Sequence, residues 1–156
     1  KPAVTEDNEI LVKQASDLNS YAAASITYDL PGGEKVLDGD TFVKWLDKDD
    51  DGNYTRDDEK FTEKIKEYVA EMAEETDSFG GEMEFKATDG STVKVKSVDY
   101  GWQIDQAKEV EVLKQLIYDG EKTTREPEYT KRMATTDNGG FGDTYIEVNL
   151  TKQQMY

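Results

Sequence analysis

Residues 55–98 read TRDDEKFTEKIKEYVAEMAEETDSFGGEMEFKATDGSTVKVKSV, and the period of their apolar residues changes partway. Up to Ala73, the residues Phe61, Ile65, Tyr68, Val69, Met72 and Ala73 recur at three- and four-residue intervals, the spacing of one helix face. Thr55-Arg56-Asp57-Asp58 has the form of a capping box and predicts the start of that helix. Lys60, Lys64 and Lys66 are interleaved with acids, as on a solvated helix surface. Beyond Gly80-Gly81 the period drops to two: Met83, Phe85 and Ala87 alternate with Glu82, Glu84 and Lys86, and Val93 and Val95 with Lys94 and Lys96. Asp89-Gly90 stands between the two runs, so they predict a β-hairpin. A long helix followed by an antiparallel hairpin places the chain in the α+β class.

The flanks extend the same pattern. Leu11, Ala15, Leu18 and Ala22 fall at helical spacing between Asp7 and Ala24. Ser25-Ile26-Thr27-Tyr28 predicts a strand that turns at Pro31-Gly32-Gly33 and pairs back through Glu34 to Leu37. Asp40 is positioned to cap a short helix through Phe42, Val43 and Leu46, which ends at the acidic run beginning at Asp47. Asp105 is placed to cap a further long helix carrying Val110, Leu113, Leu116 and Ile117, closed by Gly120. Pro127 keeps Thr123 to Tyr129 extended. Three main helices packed on short antiparallel β-hairpins are expected.

Composition excludes much chemistry. The 156 residues include 35 acidic and 19 basic side chains, a formal charge of −16, which repels nucleic acid and anionic membrane surfaces. There is no cysteine and no histidine. Disulfides, thiolate metal sites, Ser-His-Asp and Cys-His arrangements and the His-containing zinc helix are therefore all excluded. Acid pairs are so abundant that none stands out as a glycosidase pair, and no phosphate-binding loop occurs, so no cofactor is expected. No stretch approaches membrane-spanning length. The chain starts at Lys1 with neither a basic start nor an apolar signal core, so any targeting segment or membrane anchor is expected to lie outside it.

Two patterns could carry a ligand. Asp47-Lys48-Asp49-Asp50-Asp51-Gly52, continuing to Asp58, resembles a calcium loop: Asp47, Asp49, Asp51 and Asp58 take ligand positions, and glycine permits the turn. Against this, Asp58 replaces the bidentate glutamate and Tyr54 occupies an aliphatic position. The alternative reading is a solvated acidic turn between two helices. The second pattern is Tyr100-Gly101-Trp102. Its rings could line a glycan or peptide groove, with Gly101 admitting close approach, or Trp102 could be a core anchor.

The chain presents in order Ile26-Thr27-Tyr28-Asp29, Trp45 to Asn53, Lys66-Glu67-Tyr68-Val69 and Asp77-Ser78-Phe79-Gly80. Phe85-Lys86-Ala87-Thr88-Asp89-Gly90, Asp99 to Asp105 and Thr124-Arg125-Glu126-Pro127-Glu128-Tyr129 follow. This succession of motifs resembles a peptidoglycan-binding domain. Such domains adjoin the catalytic domain of bacterial L,D-transpeptidases and also occur in proteins of the vancomycin-resistance VanW type. The terminal run Thr144 to Tyr156 resembles the first strand of a YkuD-type transpeptidase domain. The resemblance implies an extracellular, wall-associated parent that cross-links stem peptides through a cysteine acyl-enzyme. No catalytic residue carries over to this chain. Its partners would be peptidoglycan and the downstream transpeptidase domain.

Together these readings predict an accessory domain over residues 1–137, a Gly/Asn-rich linker at 138–143 and the start of a catalytic domain at 144–156. The expected role is to bind or position peptidoglycan. The alternatives are a structural spacer without ligand and a calcium-stabilised scaffold module.

Overall fold

The computed structural model describes residues 9–50 and 54–156, with residues 9–14 and 17 described as backbone alone. The side chain of Leu11 therefore lies outside the described residues, as do Asp51, Gly52 and Asn53 of the acidic loop. The fold is α+β and divides into two compact units, one formed by residues 1–72 with 105–128, the other by 73–104 with 129–156.

In the first unit, α1 (Glu9–Ala23) leads into β1 (Ser25–Leu30) and β2 (Gly33–Asp38), an antiparallel hairpin in register from Ser25↔Asp38 to Leu30↔Gly33. The turn falls at Pro31-Gly32, where the sequence places it. α2 (Gly39–Lys44), the two-residue strands β3 (Asp47–Lys48) and β4 (Tyr54–Thr55), and α3 (Asp58–Thr76) follow. α4 (Gln106–Asp119) then returns the chain to β8 (Lys122–Arg125), which pairs parallel with β1 and completes the order β2-β1-β8. The extended stretch before Pro127 is thus a sheet strand, an assignment that needs a partner about 100 residues upstream and so has no local signal.

The core of this unit joins Ile26, Tyr28 and Leu37 of the hairpin to Phe42, Phe61, Ile65, Val69, Met72, Leu113 and Ile117, all at most 1% exposed. Tyr21 stacks on Phe61 with ring centroids 5.6 Å apart, and Phe61 also meets Trp45 edge-on at 5.9 Å. Among the described side chains of α1 the buried residue is Tyr21 rather than Ala15 or Ala22, because both alanines are exposed and the larger ring reaches the core. Two helix caps lie away from their expected positions. Asp38, not Asp40, accepts the Thr41 N–H at 3.3 Å, and Asp57, not Thr55, accepts those of Glu59 and Lys60 at 3.0 and 3.1 Å. A capping aspartate must sit just outside the first turn, and each helix begins one residue after these carboxylates.

The second unit holds the predicted hairpin, β5 (Glu82–Lys86) with β6 (Thr92–Lys96), in register from Glu82↔Lys96 to Lys86↔Thr92. Its tip is organised by Asp89, whose carboxylate accepts from the Ser91 N–H at 3.0 Å and hydroxyl at 2.6 Å. β7 (Gln103–Ile104) pairs with β9 (Tyr129–Lys131). A 3₁₀ turn at Asp137–Gly140 packs on β5, where Asn138 accepts the Lys86 N–H at 2.8 Å. Of the alternating run 144–150, only β10 (Val148–Asn149) forms a ladder, paired with β11 (Gln154–Met155).

Among the described residues, one charged side chain is fully buried. Glu109 projects from the face of α4 that also carries Val110, Leu113 and Ile117, and it is 0% exposed. Its Oε1 accepts from the Tyr28 hydroxyl at 2.6 Å and from the Arg125 guanidinium, and its Oε2 accepts the Glu128 N–H at 2.7 Å. Arg125 also reaches Glu128 at 3.2 Å, and Lys108 donates to the other Glu128 oxygen at 2.5 Å. Burial, reinforced by the adjacent Glu109 charge, pushes the Tyr28 hydroxyl pKa far above the ordinary phenol range. The phenol therefore remains a donor to the carboxylate at any physiological pH.

A buried ion pair is most costly when half of it is removed. Glu109→Ala is expected to lower unfolding free energy in urea by about 3–5 kcal/mol, because Arg125 loses its buried partner. The double variant Glu109→Leu with Arg125→Met should recover only part of that loss, since it removes both charges while keeping volume but leaves the Tyr28 hydroxyl and the Glu128 N–H without their acceptor. Gly120 ends α4 at φ 67°, and a Cβ there would sit 3.0 Å from the Ser20 carbonyl oxygen. Gly120→Ala should therefore cost at least about 1–2 kcal/mol in the same assay.

Candidate functional site

The block Tyr100-Gly101-Trp102 is joined to the chain leaving α3. The Ser78 and Phe79 N–H groups both donate to the Trp102 carbonyl at 3.0 Å, and Trp102 N–H donates to the Ser78 hydroxyl at 3.1 Å. Asp77 accepts the Ile104 N–H at 2.8 Å. Burial raises the Asp77 carboxyl pKa, and that N–H partly opposes the rise. Gly101 has φ 139°, and a Cβ there would come within 2.5 Å of the Phe79 backbone. The close approach that glycine permits is thus made by the chain itself.

Trp102 is 6% exposed and forms a cluster with Met83 and Met133, against which Tyr100, Tyr129 and Phe141 pack. The Tyr129 ring lies 5.0 Å from it, and the Arg132 guanidinium stands over it at 5.6 Å. Its indole N–H is buried without a hydrogen-bond partner. Tyr100 donates its hydroxyl to the Gly140 carbonyl at 2.8 Å, and its backbone N–H donates to the Ser97 hydroxyl at 2.9 Å. Of the three residues named from sequence, Tyr100 and Trp102 pack in one cluster, through Phe141 and Tyr129 respectively, while Gly101 faces the Phe79 backbone.

The acidic loop is likewise engaged internally. Asp47 pairs with Lys60 at 2.9 Å, Asp58 with Arg56 at 2.5 Å, and Asp57 caps α3. Among the described residues, no three acidic side chains are placed to hold a metal ion together.

An open groove of about 420 Å³ lies between α3 and α4 in the first unit. The facing residues run antiparallel. Lys114 donates to the Thr62 hydroxyl at 3.0 Å at one end; Lys66 and Ala70 continue along α3, opposite Glu111, Val110, Ala107 and Gln106. Ala70 and Ala107 are too short to meet across the gap, which leaves it open, and Val110 supplies an apolar floor. Lys66 is held by Glu63 at 2.6 Å, whereas Glu111 makes no ion pair among the described residues. The sequence signal for this feature is faint: two alanines on helix faces otherwise occupied by long side chains.

Residues 9–125, well over half of the chain, match the family model described as "Putative peptidoglycan binding domain". Two solved structures share the fold. One, the crystal structure of a Cys-to-Ser mutant of the Enterococcus faecium L,D-transpeptidase, is 30% identical with a TM-score of 0.68, over 92% of this chain and 56% of that one. The other, the Ldtfm–avibactam carbamoyl enzyme, is also 30% identical with a TM-score of 0.66, over 88% of this chain and 52% of that one. The chain thus spans about half the length of these L,D-transpeptidases. No curated protein matches it. With its match running unbroken from α1 through β8, the chain belongs to this peptidoglycan-binding domain family.

Proposed function

We propose that this chain is the non-catalytic accessory region of an extracellular cell-wall L,D-transpeptidase, where it binds peptidoglycan and positions it for cross-linking. The observation that carries the reading is the open α3–α4 groove, which lies within the residues matching the family. Small-molecule sites are concave with a largely apolar lining and a few polar groups at the rim, and the groove has that form. The chain contains neither cysteine nor histidine, so a cysteine acyl-enzyme step would fall to another domain.

Residues 1–137 are the accessory region in this reading, 138–143 connect it, and 144–156 open the catalytic domain. The exposed apolar side chains Tyr145, Ile146, Val148, Leu150 and Met155 support the last assignment, with Leu150 84% exposed. A run with this many exposed apolar side chains suits a segment that packs against further chain. Among the described residues no helix is long and apolar enough to cross a membrane.

The burial of Trp102 favours a second reading, a spacer that sets the distance of the catalytic domain and touches no polymer. Sedimentation with purified sacculi separates the two. A peptidoglycan binder pellets with the sacculi at several salt concentrations; a spacer stays in the supernatant. Trp102→Ala is expected to lower stability by about 3–5 kcal/mol, as removal of a buried aromatic does, while leaving pelleting intact at temperatures where the variant is folded. Loss of pelleting by a fully stable Trp102→Ala variant would instead move the binding surface to the aromatic block.

A further inference from the structure

We infer that the α3–α4 groove takes a short peptide segment in which a small aliphatic side chain lies beside a free ammonium group, so that the wall polymer is recognised through its stem peptide rather than its sugars. The inference rests on the peptidoglycan reading above for the identity of the polymer, and on the groove's own chemistry for the part recognised.

Three features of the lining point this way. The floor and walls are Ala70, Ala107 and Val110, and among the described residues no aromatic ring lines the groove. Sugars are recognised by stacking on flat rings, so a glycan would find no platform here, whereas an alanine-sized methyl group fits the gap that Ala70 and Ala107 leave between the two helices. Charge supplies the second feature. Glu111 stands at the rim with no ion pair among the described residues, while the nearby cation Lys66 is held by Glu63 at 2.6 Å. An arriving amine would therefore find an available carboxylate, and the formal charge of −16 steers cations towards the surface and carboxylates away. The third feature is Gln106, whose amide offers both a donor and an acceptor at the rim, as a peptide backbone requires.

The test is an NMR titration of the isotope-labelled chain with acetyl-Ala-Lys-Ala-amide. Saturable shifts are expected at the backbone amides of Ala70, Ala107, Val110 and Glu111. The same peptide with its lysine Nε acetylated should bind about tenfold more weakly, and so should the unmodified peptide to Glu111→Gln, because each change removes one charge-assisted hydrogen bond. Ala107→Leu fills the groove and should abolish the shifts at unchanged melting temperature, and an N-acetylglucosamine tetramer should cause none. Equal binding of the two peptides, wild-type binding by Glu111→Gln and Ala107→Leu, or shifts with the sugar alone would overturn the inference. If the peptide leaves the groove undisturbed while sacculi still pellet the chain, the groove assignment falls and the peptidoglycan reading survives. If sacculi leave the chain in solution, that reading fails too.

Discussion

A carboxylate removed from water survives only if its lone pairs are met, and Glu109 sets that condition at the centre of the first unit. Its three partners come from separate parts of the chain: the Tyr28 hydroxyl from β1, the Arg125 guanidinium from β8 and the Glu128 N–H beyond it. Tyr28 and Arg125 are also register partners in the parallel β1–β8 pair. The carboxylate on α4 thus bonds to both members of one cross-strand pair. A slip of β8 by one residue would turn Arg125 to the opposite face of the sheet and leave Glu109 without its cation. The network gives this short parallel pairing a specific register that four residues of backbone ladder would hold only weakly. The first two turns of the helix so anchored also carry Gln106, Ala107, Val110 and Glu111, which line one side of the groove.

The second unit is organised by a different constraint, the contact between two backbone segments. Gly101 admits the chain at Ser78 and Phe79, and four hydrogen bonds from residues 78, 79, 102 and 104 lock the segments together. Two of the most characteristic stretches of the sequence, Asp77 to Gly80 and Tyr100 to Ile104, are therefore the two sides of one joint. Trp102 follows that joint into a cluster with Met83 and Met133, where its ring contributes packing area while its N–H goes unbonded. An unpaired buried donor costs about 1–3 kcal/mol, which the burial of so large a ring can offset.

The two ligand patterns of the sequence differ in why they were ambiguous. Aspartate and glycine are the residues of a calcium loop and also of any helix-to-helix turn; Asp47, Asp57 and Asp58 are engaged by a lysine, a helix terminus and an arginine. Aromatic residues bracketing a glycine suit a sugar platform and a tight packing joint equally, and the difference lies in what fills the space next to the glycine. The groove had no motif at all, since it arises where side chains are too small to touch.

From the sequence alone came whatever depends on spacing and composition: the helices by their three- and four-residue repeat, the hairpins by alternation around Pro31-Gly32 and Asp89-Gly90, and the exclusion of imidazole and thiol chemistry by simple absence. Only the tertiary structure could decide that Glu109 is an interior residue, since its hydroxyl partner lies 81 positions away, and that the third strand of the sheet is parallel. Likewise only the folded chain shows that Gly101 faces its own backbone and that an open groove separates α3 from α4. The physical reason is range. Periodicity and turn chemistry act between neighbours and are written locally, whereas burial, ion pairing and the gaps between helices belong to residues that meet only after the chain has closed.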